Sequence, residues 1–296
     1  MMKSTPFSPS MAKPANKFPL KPSLPTLRLL LPALLAFSAC GPVTFPADRL
    51  PEAVHDLCKK EQKLDVQARL VGKTLYLSCS LEGLIGLDLD FQKDALETLE
   101  GVMLSGTRAA LSTDAKVDFL AMKVKDARLG SAITLLRYIP DIKGLIYMRY
   151  SRSDFEDRLV LETDGAEESP DDQAALHDIT LPEFIARLIS SRLHRQLTGN
   201  PLVSVFLRIT RVRGRVEDGV LILTLDRADH DALTLSTTDV LEAAVAEVAV
   251  DVTKKFDPEG LLIHDVRVED KGGPTLWQKP LRALQARVKS TEKKKK

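Results

Sequence analysis

The residues of this 296-residue chain whose chemistry could carry a function are three cysteines, five histidines and a few clusters of acids and arginines. His55, His177, His194, His230 and His264 show neither the HExxH spacing nor the CxxC pairs that bring ligands onto one metal, so no metal site is expected. No Gly-x-Ser-x-Gly elbow, P-loop or dinucleotide-binding glycine pattern occurs, and neither a catalytic residue nor a cofactor is assigned. Asp88 and Asp90 form an Asp-x-Asp that reads as a solvated loop after a strand. Arg208, Arg211, Arg213 and Arg215 crowd one strand and turn. They could gather an anion, but charge guarding an exposed strand edge is the simpler account. Cys58 and Cys79 align, in the repeat described below, with the core positions Ile189 and Leu225. Both are therefore expected as small buried hydrophobes, ahead of a disulfide or a catalytic thiol.

Cys40 stands apart. Residues 1–39 carry Lys3, Lys13, Lys17, Lys21 and Arg28 with no acid, and they end in the apolar run Leu29 to Phe37. A charged stretch before an apolar one is the pattern of a signal peptide. The run is about half of the roughly 20 residues that a membrane-spanning helix needs, and Pro32 interrupts it. The sequence Phe37-Ser38-Ala39-Cys40-Gly41 resembles a bacterial lipobox, departing from it at Phe37, where leucine is usual. The resemblance covers only this targeting segment. It implies that the Cys40 thiol receives a diacylglyceryl group, that the chain is cut before it, and that the new amine is acylated. Gly41 stands where many inner-membrane lipoproteins have aspartate, so the resemblance further implies the outer membrane, facing the periplasm. The competing readings are an ordinary signal peptide cut near Ala39 or a buried helix, and Met11 is an alternative start.

Losing the five N-terminal cations takes the formal charge from +1 to −4. Residues 281–296 hold seven cations against Glu292, which leaves a body near −10. An acidic body with a basic tail is not the footprint of a nucleic-acid binder.

The mature chain contains a diverged duplication. Leu50-Pro51-Glu52 recurs as Leu181-Pro182-Glu183, each followed by apolar residues at i, i+3, i+4, i+7 and i+8: Leu50, Ala53, Val54, Leu57, Cys58 and Leu181, Phe184, Ile185, Leu188, Ile189. That spacing predicts an amphipathic helix with proline in its first turn. Two strand-like runs, a second helix and a further strand follow in the same order in both halves, and a shared β-bulge is expected where Val117, Phe119, Met122, Val124 and Leu261, Ile263, Val266, Val268 break the period of two. The expected fold is α+β, two α-β-β-α-β-β modules with mainly antiparallel sheets. The expected boundaries are a signal peptide at 1–39, anchor and tether at 40–49, a first module with an extra hairpin at 50–162, an acidic linker at 163–180, a second module at 181–280 and a basic disordered tail at 281–296.

One stretch has no counterpart in the second half. Residues 137–162 hold three of the four tyrosines, with Arg137, Tyr138, Tyr147, Arg149 and Arg152 as the candidate partner-binding residues, because tyrosine and arginine are enriched at interface hot spots. As a hairpin it would turn Ile146, Met148 and Tyr150 to the core, and Leu145, Tyr147 and Arg149 outward. These features lead to the expectation of a lipid-anchored, non-enzymatic envelope lipoprotein that binds an envelope protein or assists assembly. The alternatives are an envelope hydrolase with a dispersed site, and a lipid or small-ligand carrier using the space between the modules. Replacing Cys40 by Ser should abolish fatty-acid labelling and retention in the membrane fraction after a salt wash, while leaving the folded body intact. Labelling of the Cys40→Ser chain, or its persistence in the membrane fraction after a salt wash, would refute the lipid anchor.

Overall fold

The computed structural model describes residues 44–84, 92–164, 176–199, 203–204, 207–228 and 235–295. Cys40, the signal segment, Asp88, Asp90, His230 and most of the acidic linker lie outside the described residues. The first half runs α1 (Leu50–Glu61), β1 (Gln67–Val71), β2 (Thr74–Leu81), α2 (Lys93–Leu111), β3 (Phe119–Asp126) and β4 (Ala132–Tyr138). The second repeats it as α5 (Leu181–Gly199), β6 (Ile209–Glu217), β7 (Val220–Arg227), α6 (Leu235–Phe256), β8 (Asp265–Asp270) and β9 (Thr275–Pro280). Between them lie α3 (Ile139–Ile146), α4 (Arg152–Glu156) and β5 (Val160–Asp164), and α7 (Leu281–Lys295) follows. The fold is thus α+β, with two sheet modules of the same design.

The strands form sheets in the orders β1-β2-β3-β4-β5 and β6-β7-β8-β9. Neighbours are antiparallel except β2 with β3 and β7 with β8, the pairs joined by a helical crossover. Both first hairpins turn through two residues, Gly72-Lys73 and Asp218-Gly219, but they differ in backbone: only Gly72 is left-handed in the first, at φ +57°, whereas Asp218 and Gly219 are both left-handed in the second, at +49° and +75°.

The faces of the first sheet are both covered. Leu75, Leu77, Leu120, Met122, Val124 and Ile133 face α1 and α2, whose Leu50, Val54, Leu99 and Val102 are buried. Phe119, Ala121, Leu136 and Val160 face the other way and join the core built around α5. This is why β3 is buried at nearly every position rather than at alternate ones. The second sheet has helices on one face only, and its other face is mostly charged around one buried residue, Ile222. Leu221, Leu223, Leu225, Val266 and Val268 pack on α5 and α6, while Arg213, Arg215, Thr224, Arg267 and Glu269 share the opposite face. At Gly214 the backbones of α5 and β6 approach too closely for a side chain, since a Cβ there would collide with the Ala186 carbonyl oxygen.

Four expectations are corrected. The shared bulge does not exist: β3 pairs regularly on both sides, and the shift in β8 lies at Val268/Glu269 with no partner in the first sheet. Val117, Leu261 and Ile263 precede their strands, which is why they break the period. The extra hairpin is instead α3, α4 and one strand, β5. The linker is shorter than 163–180, because β5 includes Asp164 and residues 176–180 are sewn onto the first sheet. There Asp178 accepts from the Lys73 N–H at 2.7 Å, the Ile179 N–H donates to Thr74 Oγ1 at 2.9 Å, and the Tyr76 hydroxyl donates to the His177 carbonyl at 2.6 Å.

Residues 281–295 of the expected disordered tail are instead the helix α7. Leu281 and Leu284 are buried against α6 with Val288 beside them, and Arg287 pairs with Glu242 at 2.6 Å. Apolar residues at i, i+3 and i+7 outweigh the self-repulsion of the lysines that follow. Deleting 281–296 should therefore lower stability by about 3–5 kcal/mol, the scale of two fully buried leucines. Deleting only 290–296 should leave the melting temperature unchanged; equal losses in the two truncations would contradict this packing.

Candidate docking surface

The chain runs into the fold at Phe45. Its N–H donates to the Ser112 carbonyl (2.7 Å) and its carbonyl accepts from the Asp114 N–H (3.2 Å), just past the end of α2. At this end of the first sheet β2 and β3 begin and β1 and β4 finish, tied by the Asp118 N–H to the Lys73 carbonyl (2.8 Å) and the Ile139 N–H to the Asp118 carbonyl (2.9 Å). We call it the proximal end. Because β4 finishes there and the antiparallel β5 starts there, α3 and α4 must both lie at the proximal end.

Helix α3 closes with two bonds: the Met148 N–H to the Leu145 carbonyl (2.9 Å) and the Arg149 N–H to the Gly144 carbonyl (2.8 Å). This is a Schellman motif, which places Met148 at the left-handed position that glycine normally fills. Its φ is +53°, and an L-residue there costs roughly 1–2 kcal/mol. The side chain gains nothing from the fold in return, being 91% exposed, and its neighbours Ile146 and Tyr147 are 60% and 71% exposed. Ile146 and Met148 are thus surface residues, against the expected inward pointing, because a helix end has replaced the strand.

This knuckle is held from behind. Tyr150 folds back over Gly144, where a Cβ would meet its ring at 2.1 Å. The Arg158 guanidinium stacks on Tyr150 at 3.9 Å, reaches Phe256 of α6 at 4.8 Å, and donates to Asp141 at 2.7 Å. Arg158 and Asp141 are both buried. Burial pushes the Asp141 carboxyl above its usual range against the pull of Arg158 and Arg137. Ser151 caps α4, accepting from the Asp154 N–H at 3.0 Å.

The five candidate residues divide into two groups. Arg137 is turned inward: it donates to the Phe155 carbonyl at 2.6 Å and stacks on the Phe155 ring, and burial brings its guanidinium down to about 10. Tyr138 packs at ring distances of 5.2, 5.8 and 6.2 Å from Phe119, Phe184 and Phe256. Both position the surface rather than form it. Tyr147, Arg149 and Arg152 are exposed together, the Arg149 guanidinium 5.9 Å from the Tyr147 ring and Arg152 paired with Glu156.

Sequence reasoning missed Leu261, which is 77% exposed. It lies in the α6–β8 connection, at the end of the second sheet that corresponds to the proximal end. The buried Asp257 carboxylate accepts from the N–H groups of Leu261, Leu262 and Ile263, each at 2.9 Å, and so fixes that loop. Asp257 is the signal that could have revealed it.

The remaining candidates are structural in their surroundings. Cys58 and Cys79 are unpaired and buried, and burial pushes the Cys79 thiol up to about 12, with Cys58 adding to the shift. Among the described residues no group of His, Cys, Asp and Glu is arranged to hold a metal ion. The arginine-rich β6 is the edge of its sheet. Beside it a cavity of about 300 Å³ is lined by Arg213, Gly214, Arg215, Thr224, Asp226 and Lys271, but Arg215 is paired with Glu217 and Glu269, and Lys271 with Asp226.

Removing Arg158 alone should be costly, because Asp141 would be left buried without its partner. Arg158→Met is expected to lose about 3–5 kcal/mol, and Arg158→Met with Asp141→Leu to recover most of it. Since burial raises the carboxyl in the fold, the folded chain binds its proton more tightly than the unfolded chain does. The stability this brings is complete below the unfolded pKa and is lost as pH rises through the folded one. Chemical denaturation across the acid range, wild type against Asp141→Asn, would detect it; identical profiles would contradict it. No protein-family model matches the chain and no curated protein matches it in sequence, so its function has to be read from its own residues.

Proposed function

We propose that the protein is a lipid-anchored, non-enzymatic module of the bacterial cell envelope, held by acyl chains on Cys40 at the outer membrane and facing the periplasm. It acts by docking: as a binding or assembly module it holds another envelope component against its surface. The observation that carries this is the knuckle Ile146-Tyr147-Met148, apolar surface presented at a backbone position that disfavours the residue occupying it. Strain that stability does not require marks a site whose role lies outside the fold.

The alternatives have less support. A carrier using the space between the modules would need a cavity there. That space is filled by α5, whose Phe184, Ile185, Leu188 and Ile189 are buried, and by the rings of Phe119, Tyr138 and Phe256. A hydrolase would need a nucleophile beside a base, and the two buried cysteines have thiols raised away from reactivity.

A photo-reactive residue at position 147 should form crosslinks in intact cells, while one at Leu129, exposed on the β3–β4 turn at the opposite end of the sheet, should form few. Equal yields from both positions, or none from position 147, would overturn the docking surface.

A further inference from the structure

We infer that the component covering the knuckle is an anionic phospholipid leaflet, so that the body seats on the membrane through its own side chains as well as through the lipid. The inference rests on the docking reading above, and its first support is topology. The chain leaves the fold at Phe45, and α3 and α4 lie at that same proximal end. Under the lipoprotein reading acylated Cys40 is five residues away, and five residues span at most about 18 Å. The knuckle therefore projects from the end of the body that the anchor holds beside the headgroups.

The second support is composition. From Lys143 to Arg149 the chain reads Lys-Gly-Leu-Ile-Tyr-Met-Arg, exposed apolar and aromatic tips between two exposed cations with no acid among them. Apolar groups that enter the acyl boundary, a tyrosine at headgroup level and cations that meet anionic lipid are the chemistry of an interfacial contact. The second module adds Leu261 at the same end. Its connection follows Phe256, whose ring lies 6.2 Å from that of Tyr138 and under Arg158.

The third support is where the lysine-rich helix points. α7 starts at the proximal end, where the Leu281 N–H donates to the His264 carbonyl, and Arg287 reaches Glu242 and the Asp239 carbonyl near the start of α6. α7 therefore runs away from the knuckle. Its C-terminal turn is carried toward the opposite end, so the seat does not depend on it.

The test is flotation of the chain from residue 40 onward carrying Cys40→Ser, whose compact unit begins at Thr44, with vesicles of phosphatidylethanolamine and about 25% phosphatidylglycerol. The wild-type surface should bind these vesicles and bind purely zwitterionic ones less. Met148→Gly relieves a left-handed methionine and should keep or raise the melting temperature. Combined with Tyr147→Ala it should weaken vesicle binding by about tenfold or more. Lys143→Glu with Arg149→Glu should remove the preference for anionic lipid, whereas deleting 290–296 should leave binding unchanged. The inference is overturned if the chain does not float, if the folded knuckle variants float as well as wild type, or if the truncation is what abolishes binding. Should any of these occur while position 147 still crosslinks to a protein in cells, the docking surface stands and its occupant is that protein. Absence of both fails the two readings together.

Discussion

Helix α5 is the element on which the rest depends. Phe184, Ile185, Ala186, Leu188, Ile189, Leu193 and Leu197 are buried around it, so it is apolar over far more than one stripe. Such a helix must be enclosed, and two sheets enclose it. The far face of the first sheet takes one side through Phe119, Leu136 and Val160, and the second sheet takes the other at Gly214. Polar bonds fix its height: Ser191 Oγ donates to the Leu161 carbonyl at 2.6 Å, and the Arg187 Nε donates to Glu162 at 3.0 Å. The helix belongs to the second module by sequence and to both by packing.

That sharing explains how a duplicated unit became unequal. Each copy alone has helices for one face of its sheet. In the first copy the second face is apolar as well and is closed by the other copy's helix. In the second copy the corresponding face carries Arg213, Arg215, Arg267 and Glu269 and meets solvent. The added β5 widens the first sheet where α5 lies against it. The segment that leads to β5 brings α3 and α4, so the proposed docking surface lies where the chain must cross from one strand to the next.

Periodicity made the modules legible. The spacing after Leu50-Pro51 and Leu181-Pro182 gave both helices, and the alternation of Leu75, Leu77 and Cys79 gave the buried face of β2. The failures came where a short run fits two periods. Ile146 and Met148 are two apart and suggest a strand, but Pro140 and Asp141 in a first turn open a helix that ends at Ile146. In the tail the lysines masked three apolar residues at helical spacing. Leu261 could not be placed because nothing local says whether an apolar residue lies in a strand or before it. Of the five candidate residues, Tyr147, Arg149 and Arg152 are exposed; Arg137 and Tyr138 point inward because only the folded α4 and the aromatic cluster give them partners.

The proximal end spends stability in two places at once. Met148 sits in a left-handed backbone, and a few residues away Arg158 and Asp141 are buried with Arg158 Nε and Asp141 Oδ2 unpaired. A core built for stability alone would favour glycine at the first position and well-packed apolar residues at the second. The two costs are linked in space, because Arg158 holds Tyr150 over Gly144 and so sets the turn that aims Met148 outward. Phe256 of α6 lies against the same guanidinium, so the second module braces the surface that the first presents. The duplication thus supplies a support, and the inserted segment uses it to keep an apolar tip in solvent.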